Sequence, residues 1–357
     1  GIRDIGVTGV QTCALPIYGC RPKWPKRFLV ALLMLIAGLH ALHAGPAGNV
    51  DAAAVHRAAT TARSVHLDAA SRIHLADSFH ALVSIQGGSR NEQPIRDECQ
   101  RRLLALGART IPIVDGLSNP PVNLAMRFEG IGSQSNHPAL LLNAHLDTLV
   151  VSTPQHLGFE PATGDFFHQL ESDRTAVSSF GGDDRSGIVV ILEALRHLSL
   201  HRWTNHPPRP PILVLLTGSE EIGLLGAKHL ARHHPRLFDH VGLSITVDGP
   251  LDYETAYPAD RLVAVVSEAD STRQPYVGVL KIMAGHASSA GVGWSRSEVG
   301  LGKGDFAAFP ANAHAGLHFR SPVRGWHRKE RVNVQDLAHH VDLLIDVIQR
   351  WPEATSR

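Results

Sequence analysis

The chain's strongest constraint is a series of short, nearly uninterrupted apolar runs that each end in acidic or histidine residues. ALLLNA at 139–144 leads into His145 and Asp147, ILVLLT at 212–217 into Glu220 and Glu221, and LSITV at 243–247 into Asp248. Apolar runs without polar alternation suit strands covered on both faces. Amphipathic segments at 186–198, 224–233 and 334–350 supply covering helices. Strands alternating with such helices predict an α/β fold, a three-layer α/β/α sandwich around a mixed, mostly parallel central sheet. Further strands are expected at TIPIVD, VNLAMRF, RLVAVV, VGVLKIM and AGLHF. Helices are expected in the Ala-rich stretch 51–84 and over 91–108, where Gly107 closes the turn. Residues 150–180 lack periodicity and read as an excursion over the sheet, a place where function often resides.

With 43% of the residues hydrophobic and 19% charged, the chain has the profile of a globular protein with ample core, and one large domain over 51–357 is expected. Disordered, collagen-like and polytopic membrane classes are excluded. The net charge is +1. Residues 1–44 carry Arg3, Arg21, Lys23, Lys26 and Arg27 against Asp4, so the rest is slightly acidic. Neither nucleic acid nor an anionic membrane is an expected partner.

The N-terminal stretch reads as two kinds of non-structure. Residues 7–17, VTGVQTCALPI, resemble the translation of a sequencing-adapter oligonucleotide, so 1–18 are set aside. Residues 19–44 have the order of a signal peptide: basic RPKWPKR, apolar FLVALLMLIAGL, then small residues around Ala44 and Ala47. The apolar run is short of the roughly 20 residues that span a bilayer. Export to the periplasm or medium, without stable membrane insertion, is the expectation. Cys99 is the one cysteine outside this region, so no intramolecular disulfide is expected in the mature chain.

Strand ends are where open α/β sheets build their sites. The clusters there are NAHLDT (His145, Asp147), GGDDRSG (Asp183, Asp184), LLTGSEEIG (Glu220, Glu221), TVDGP (Asp248) and RGWHRKE (His327). In HLD, the i, i+2 spacing on a strand puts imidazole and carboxylate on one face, so Asp147 could orient His145 while the other ring nitrogen binds a metal. Imidazole and carboxylate without thiolate suit Zn²⁺, Co²⁺ or Mn²⁺ in a catalytic site.

In that order, HLDT, GGDDRSG, SEEIGLLGA, VDG and WHRKE resemble the co-catalytic di-zinc exopeptidases of peptidase clan MH, which include leucyl aminopeptidases, peptidase T and glutamyl aminopeptidases. The similarity spans about residues 81–348. It implies two divalent metals, with Asp183 bridging them, His145 and Asp248 completing one site and Glu221 and His327 the other. It also implies Glu220 as general base and a cis peptide between Asp183 and Asp184. Two metals about 3.5 to 4 Å apart can activate a shared water, and a free carboxylate beside it can carry its proton to the leaving amine. The interval 248–327 is too short for the lid domain that many carboxypeptidase-like relatives insert there, so none is expected. Trp326 stands where some compact relatives have a tyrosine that polarises the scissile carbonyl, and indole can offer only its N–H.

The expected substrate is a short peptide, cut by an aminopeptidase or di/tripeptidase. A carboxypeptidase or N-acyl amino acid amidohydrolase is the alternative, for which Arg320 or Arg324 would receive the substrate carboxylate. A non-catalytic binding domain and a one-zinc cyclase of N-terminal glutamine are further readings, opposed by the complete ligand set. Asp184 is either a turn residue or a partner behind the metals. Asp305 and Phe306 are either cleft residues or a capping Asp and a core Phe. His233, His234, His286 and His314 carry no assignment.

Overall fold

The structure is a computed structural model, and it describes residues 67–113, 121–132, 136–148, 168–201, 210–252, 260–266, 276–290, 293–298, 304–309, 316–324 and 330–355. All of these fall within one compact unit. The expected adapter remnant, the signal peptide, Trp326, His327 and His314 lie outside the described residues.

Among the described residues, eleven strands form one sheet in the order β1-β2-β6-β3-β7-β10-β11-β5-β4, with β8 paired to β10 and β9 to β8. They are β1 (Arg109–Ile111), β2 (Leu124–Phe128), β3 (Ala139–His145), β4 (His168–Leu170), β5 (Ala176–Ser179), β6 (Ile212–Thr217), β7 (Val241–Asp252), β8 (Asp260–Val266), β9 (Gly293–Glu298), β10 (Gly316–Arg324) and β11 (Glu330–Asn333). The four central strands β6, β3, β7 and β10 run parallel. On the path through the sheet, both flanks pair antiparallel. The sheet is therefore mixed, and its parallel part is where the apolar runs were longest.

Helices cover both faces, as the unbroken runs require. Leu140, Leu142, Ala144, Ile212, Val214 and Leu216 face one core, shared with α1 (Ala69–Val83), α2 (Gln93–Ala105), α3 (Gly182–His201), α5 (Tyr276–Ala290) and α6 (Val334–Thr355). The alternate residues Leu141, Leu213 and Leu215 face a smaller core with Ala227 and Leu230 of α4 (Leu225–His233), Phe238, Phe306 and Phe309. All seven residues of β3 are buried. Each fully buried Leu or Ile contributes about 1.5 to 3 kcal/mol, so the strand's position is fixed from both sides.

Local signals explain the helix ends. The Asp68 carboxylate accepts the Ser71 N–H at 2.7 Å and caps α1. Gly107 sits at φ +91° just after α2, as the sequence predicted. Two expectations fail: the expected excursion over 150–180 contributes strands β4 and β5 to the sheet, and VGVLKIM is not a strand but the start of α5. Val279, Ile282, Met283, His286 and Ala287 are the buried positions there, a spacing of three and four that turns one stripe toward the core. The short run mimicked a strand because helix and strand cannot be told apart over seven apolar residues.

Candidate active site

The candidate site lies where β3, β6 and β7 meet the start of α3. His145 is the last residue of β3. Asp183 and Asp184 precede the regular turns of α3, and the peptide bond joining them is cis, as the family resemblance implied. Asp184 caps that helix: its Oδ1 accepts the Gly187 N–H at 2.9 Å. Gly187 has to be glycine, since a Cβ there would lie 2.2 Å from the Val247 carbonyl oxygen of β7. Glu220 and Glu221 follow β6 after Gly218 and Ser219. Asp248 lies within β7, which continues to Asp252.

Of the predicted residues, the structure brings together two groups whose ligand atoms lie within 4.8 Å of one another: His145, Asp183 and Glu221, and His145, Asp184 and Asp248. His145 Nε2 is 3.1 Å from Asp183 Oδ1, 3.6 Å from Asp248 Oδ1 and 4.0 Å from Glu220 Oε2. The other ring nitrogen, Nδ1, lies 3.0 Å from the backbone carbonyl of Asp147. A carbonyl only accepts, so Nδ1 carries a proton and Nε2 faces the carboxylates. Two lone pairs cannot stably meet at 3.1 Å unless a proton or a metal cation lies between them. The surrounding Glu220, Asp147, Asp183 and Asp248 raise the His145 pKa well above the usual range, overcoming a burial effect that is larger than any one of them. That negative field, with nitrogen and oxygen donors and no sulfur, fits a hard or borderline divalent cation.

Asp147 does not act through the strand geometry expected of it. It lies beyond the end of β3, and its carboxylate is 3.5 Å from Nδ1, farther than its own carbonyl. The carboxylate instead accepts Ser89 Oγ at 2.7 Å and the backbone N–H groups of Glu220 and Glu221 at 2.9 and 3.2 Å. Burial pushes its pKa up, but His145, Ser89 and the Glu220 amide outweigh that and hold it below the usual range. Asp184, fully buried, accepts the His145 N–H at 3.0 Å, so it joins a capping role to a hold on the histidine. Burial and the neighbouring Asp248 and Asp183 keep its pKa well raised, against His145. The Glu220 carboxyl is pushed up to about 9 by burial and by Asp248, Asp305 and Glu221, against the pull of His145.

Asp305 and Phe306 divide between the two earlier readings. Phe306 belongs to the smaller core. Asp305 is buried behind the site, where its Oδ2 accepts from the Thr217 hydroxyl and, at 3.3 Å, from Asn143 Nδ2. Its carboxyl is pushed up to about 7, chiefly by burial. Arg320 is in backbone register with Asp248 on the neighbouring strand β10. Unforeseen from the sequence are Arg185, Glu92, Asn123 and Glu330. Arg185 is fully buried and donates to the Leu146 and Gly87 carbonyls. Glu330 Oε2 accepts the Asp183 N–H at 3.0 Å. Glu330 stood inside the WHRKE motif and Arg185 inside GGDDRSG, which were the available signals, whereas Glu92 and Asn123 lay in stretches read only as a helix and a strand.

The chain matches the model of peptidase family M28 over residues 123–342. No curated protein sequence matches it. Solved structures with the same fold include an aminopeptidase of the archaeon Desulfurococcus kamchatkensis, 17% identical, covering 80% of this chain and 97% of that one with a TM-score of 0.58. The PepT aminopeptidase of Bacillus cereus is 14% identical, with coverage of 78% and 98% and a TM-score of 0.56. The TET1 peptidase of Pyrococcus horikoshii, which can assemble into a tetrahedron or an octahedral shell, is 19% identical, with coverage of 77% and 99% and a TM-score of 0.53. With the family model spanning most of the sheet and His145, Asp183, Glu220, Glu221 and Asp248, the chain belongs to peptidase family M28 and is a metallo-exopeptidase.

Proposed function

We propose that the protein removes residues from the amino end of short peptides, as an aminopeptidase or di/tripeptidase, with two divalent ions, Zn²⁺ first among them. Asp183 would hold both ions, His145 and Asp248 one, and Glu221 with His327 the other. Bound there, the ions would polarise the scissile carbonyl and activate water for attack. The observation that carries this reading is the Nε2 of His145 directed at Asp183 and Asp248, with Glu221 within ligand reach of the first.

The chain's own residues divide the remaining work. Glu220 lies beside these ligands but belongs to neither three-residue group. A carboxylate so placed takes the proton of the attacking water and delivers it to the leaving amine. Asp147 fixes the backbone of both glutamates, so that one carboxylate stays free while its neighbour is held. Aminopeptidases among the structural relatives support action at the amino end. Arg320, in backbone register with Asp248 on β10, is the residue on which the competing carboxypeptidase reading rests.

Three versions of one leucyl tripeptide separate the two: free at both ends, acetylated at the amino end, and amidated at the carboxyl end. We expect cleavage of the free and amidated peptides and none of the acetylated one. Cleavage of the acetylated peptide with loss of the amidated one would favour the carboxypeptidase. Export through residues 19–44 is part of the proposal on sequence grounds. A mature chain beginning near Gly45 or Asn49 is the expected result of sequencing the secreted protein.

A further inference from the structure

The loop that carries Glu220 and Glu221 has four consecutive backbone N–H groups held by side chains from three other segments. Gly218 N–H donates to Asn123 Oδ1 at 3.1 Å, Ser219 N–H to Glu92 Oε1 at 2.8 Å, and the Glu220 and Glu221 amides to Asp147. The Glu92 contact is unusual in several ways. Glu92 is fully buried and occupies the N-cap position of α2, yet its side chain makes no cap hydrogen bond there. Its Oε1 instead also accepts Ser219 Oγ at 3.0 Å and the Arg90 N–H at 2.8 Å. Ser219 and Arg90 both adopt left-handed backbone, at φ +58° and +69°, which L-residues resist unless local bonds hold them. One carboxylate oxygen thus fixes two disfavoured turns, one of them directly before the catalytic pair. Arg185, also fully buried, supplies the nearby positive charge.

We propose that Glu92 is a positioning residue for the reaction, setting the Ser219 turn so that the Glu221 carboxylate reaches the metal and the Glu220 carboxylate stays free beside it. This rests on the metallopeptidase reading of the site. It assigns to Glu92, distant from Glu220 in sequence and without contact to substrate, control over how the two adjacent glutamates are placed. Partners that orient metal ligands typically change metal affinity by 10- to 100-fold when removed.

The test compares Glu92→Ala, Glu92→Gln and Glu92→Asp, with amide hydrogen exchange measured on the metal-free protein and zinc affinity by titration. In Glu92→Ala the Ser219 and Glu220 amides should exchange faster, zinc affinity should fall about 10- to 100-fold, and kcat should drop with KM little changed. Glu92→Gln retains an acceptor oxygen and should keep amide protection and zinc affinity near wild type. Glu92→Asp keeps the charge but withdraws the oxygen by one methylene, so it should behave like Glu92→Ala, and it carries the test if the alanine variant does not fold. Wild-type exchange and zinc affinity in Glu92→Ala or Glu92→Asp would overturn the proposal, as would equal damage from Glu92→Gln. Exchange needs neither metal nor substrate. A wild-type chain that bound no metal would defeat the metallopeptidase reading while leaving the exchange comparison in force.

Discussion

At the strand ends one imidazole, His145, stands among the carboxylates of Asp147, Asp183, Asp184, Asp248 and Glu220; between α5 and α6, His286 meets the carboxylate of Asp346 at 2.6 Å, with Asp342 one helical turn away. Both clusters are buried and both mix histidine with aspartate. They differ in balance. In the second, His286 answers Asp346 and the Leu67 N–H answers Asp342 at 2.9 Å, so each carboxylate meets a donor of its own. In the first, backbone donors restrain Asp147 and Asp184, but Asp183, Asp248 and Glu220 still converge on one ring nitrogen. Among the described residues the carboxylates there outnumber the one imidazole, and such an excess is costly to bury without a cation. The contrast teaches that histidine and aspartate in contact do not by themselves mark a metal site; unbalanced carboxylates aimed at one point do.

The largest expected effect breaks the symmetry between two identical neighbours at the first cluster. Glu220→Gln should retain metal, leave KM near wild type and lower kcat by about 10² to 10⁴-fold, the usual worth of general acid-base catalysis. Glu221→Gln should instead reduce metal content. Metal analysis with steady-state kinetics on both variants decides the matter: full activity in Glu220→Gln, or metal loss there alone, would reverse the roles.

A smaller effect is expected at the second cluster. His286→Leu leaves the Asp346 carboxyl buried without this partner, which costs about 1 to 3 kcal/mol. Denaturant unfolding should show that loss while metal content stays unchanged. A change in metal content would mean that the two clusters are not independent.

The smallest effect is a pH dependence at Asp342, whose carboxyl is pushed up to about 7, chiefly by burial, against the Leu67 amide. A raised carboxyl pKa means that the folded chain holds a proton the unfolded chain has released, so this group's contribution to stability falls as pH rises from about 4 to about 7. Asp342→Asn removes that penalty while its amide oxygen can still accept the Leu67 N–H. The variant's gain over wild type should therefore be larger at pH 8 than at pH 4. An equal or opposite difference in unfolding free energy would contradict the burial argument.

Much of the fold was legible because the central parallel strands are apolar throughout and their ends carry the acidic and histidine residues. β3, β6 and β7 could be read from local pattern alone. VGVLKIM could not, since its helical period appears only with the His286 and Ala287 positions beyond it. His145, Asp183, Glu221 and Asp248 were picked out by ordered motifs and do come together in the structure, with His327 outside the described residues. What sequence could not convey is the work done by distant side chains. Glu92 looked like a helix-start residue, Asn123 like part of a strand run, and Asp147 like a simple ring partner. Their hydrogen bonds to the Gly218–Glu221 backbone exist only once the chain is folded.

The central claim is that the carboxylate surplus around His145 serves a metal that peptide hydrolysis requires. Its most direct test is the rate of leucyl tripeptide cleavage by chelated protein during titration with zinc. Activity should be absent in chelator and should rise to a plateau as two equivalents of zinc are added. Undiminished cleavage in chelator, or zinc binding to saturation with no cleavage of any of the three peptides, would contradict the account.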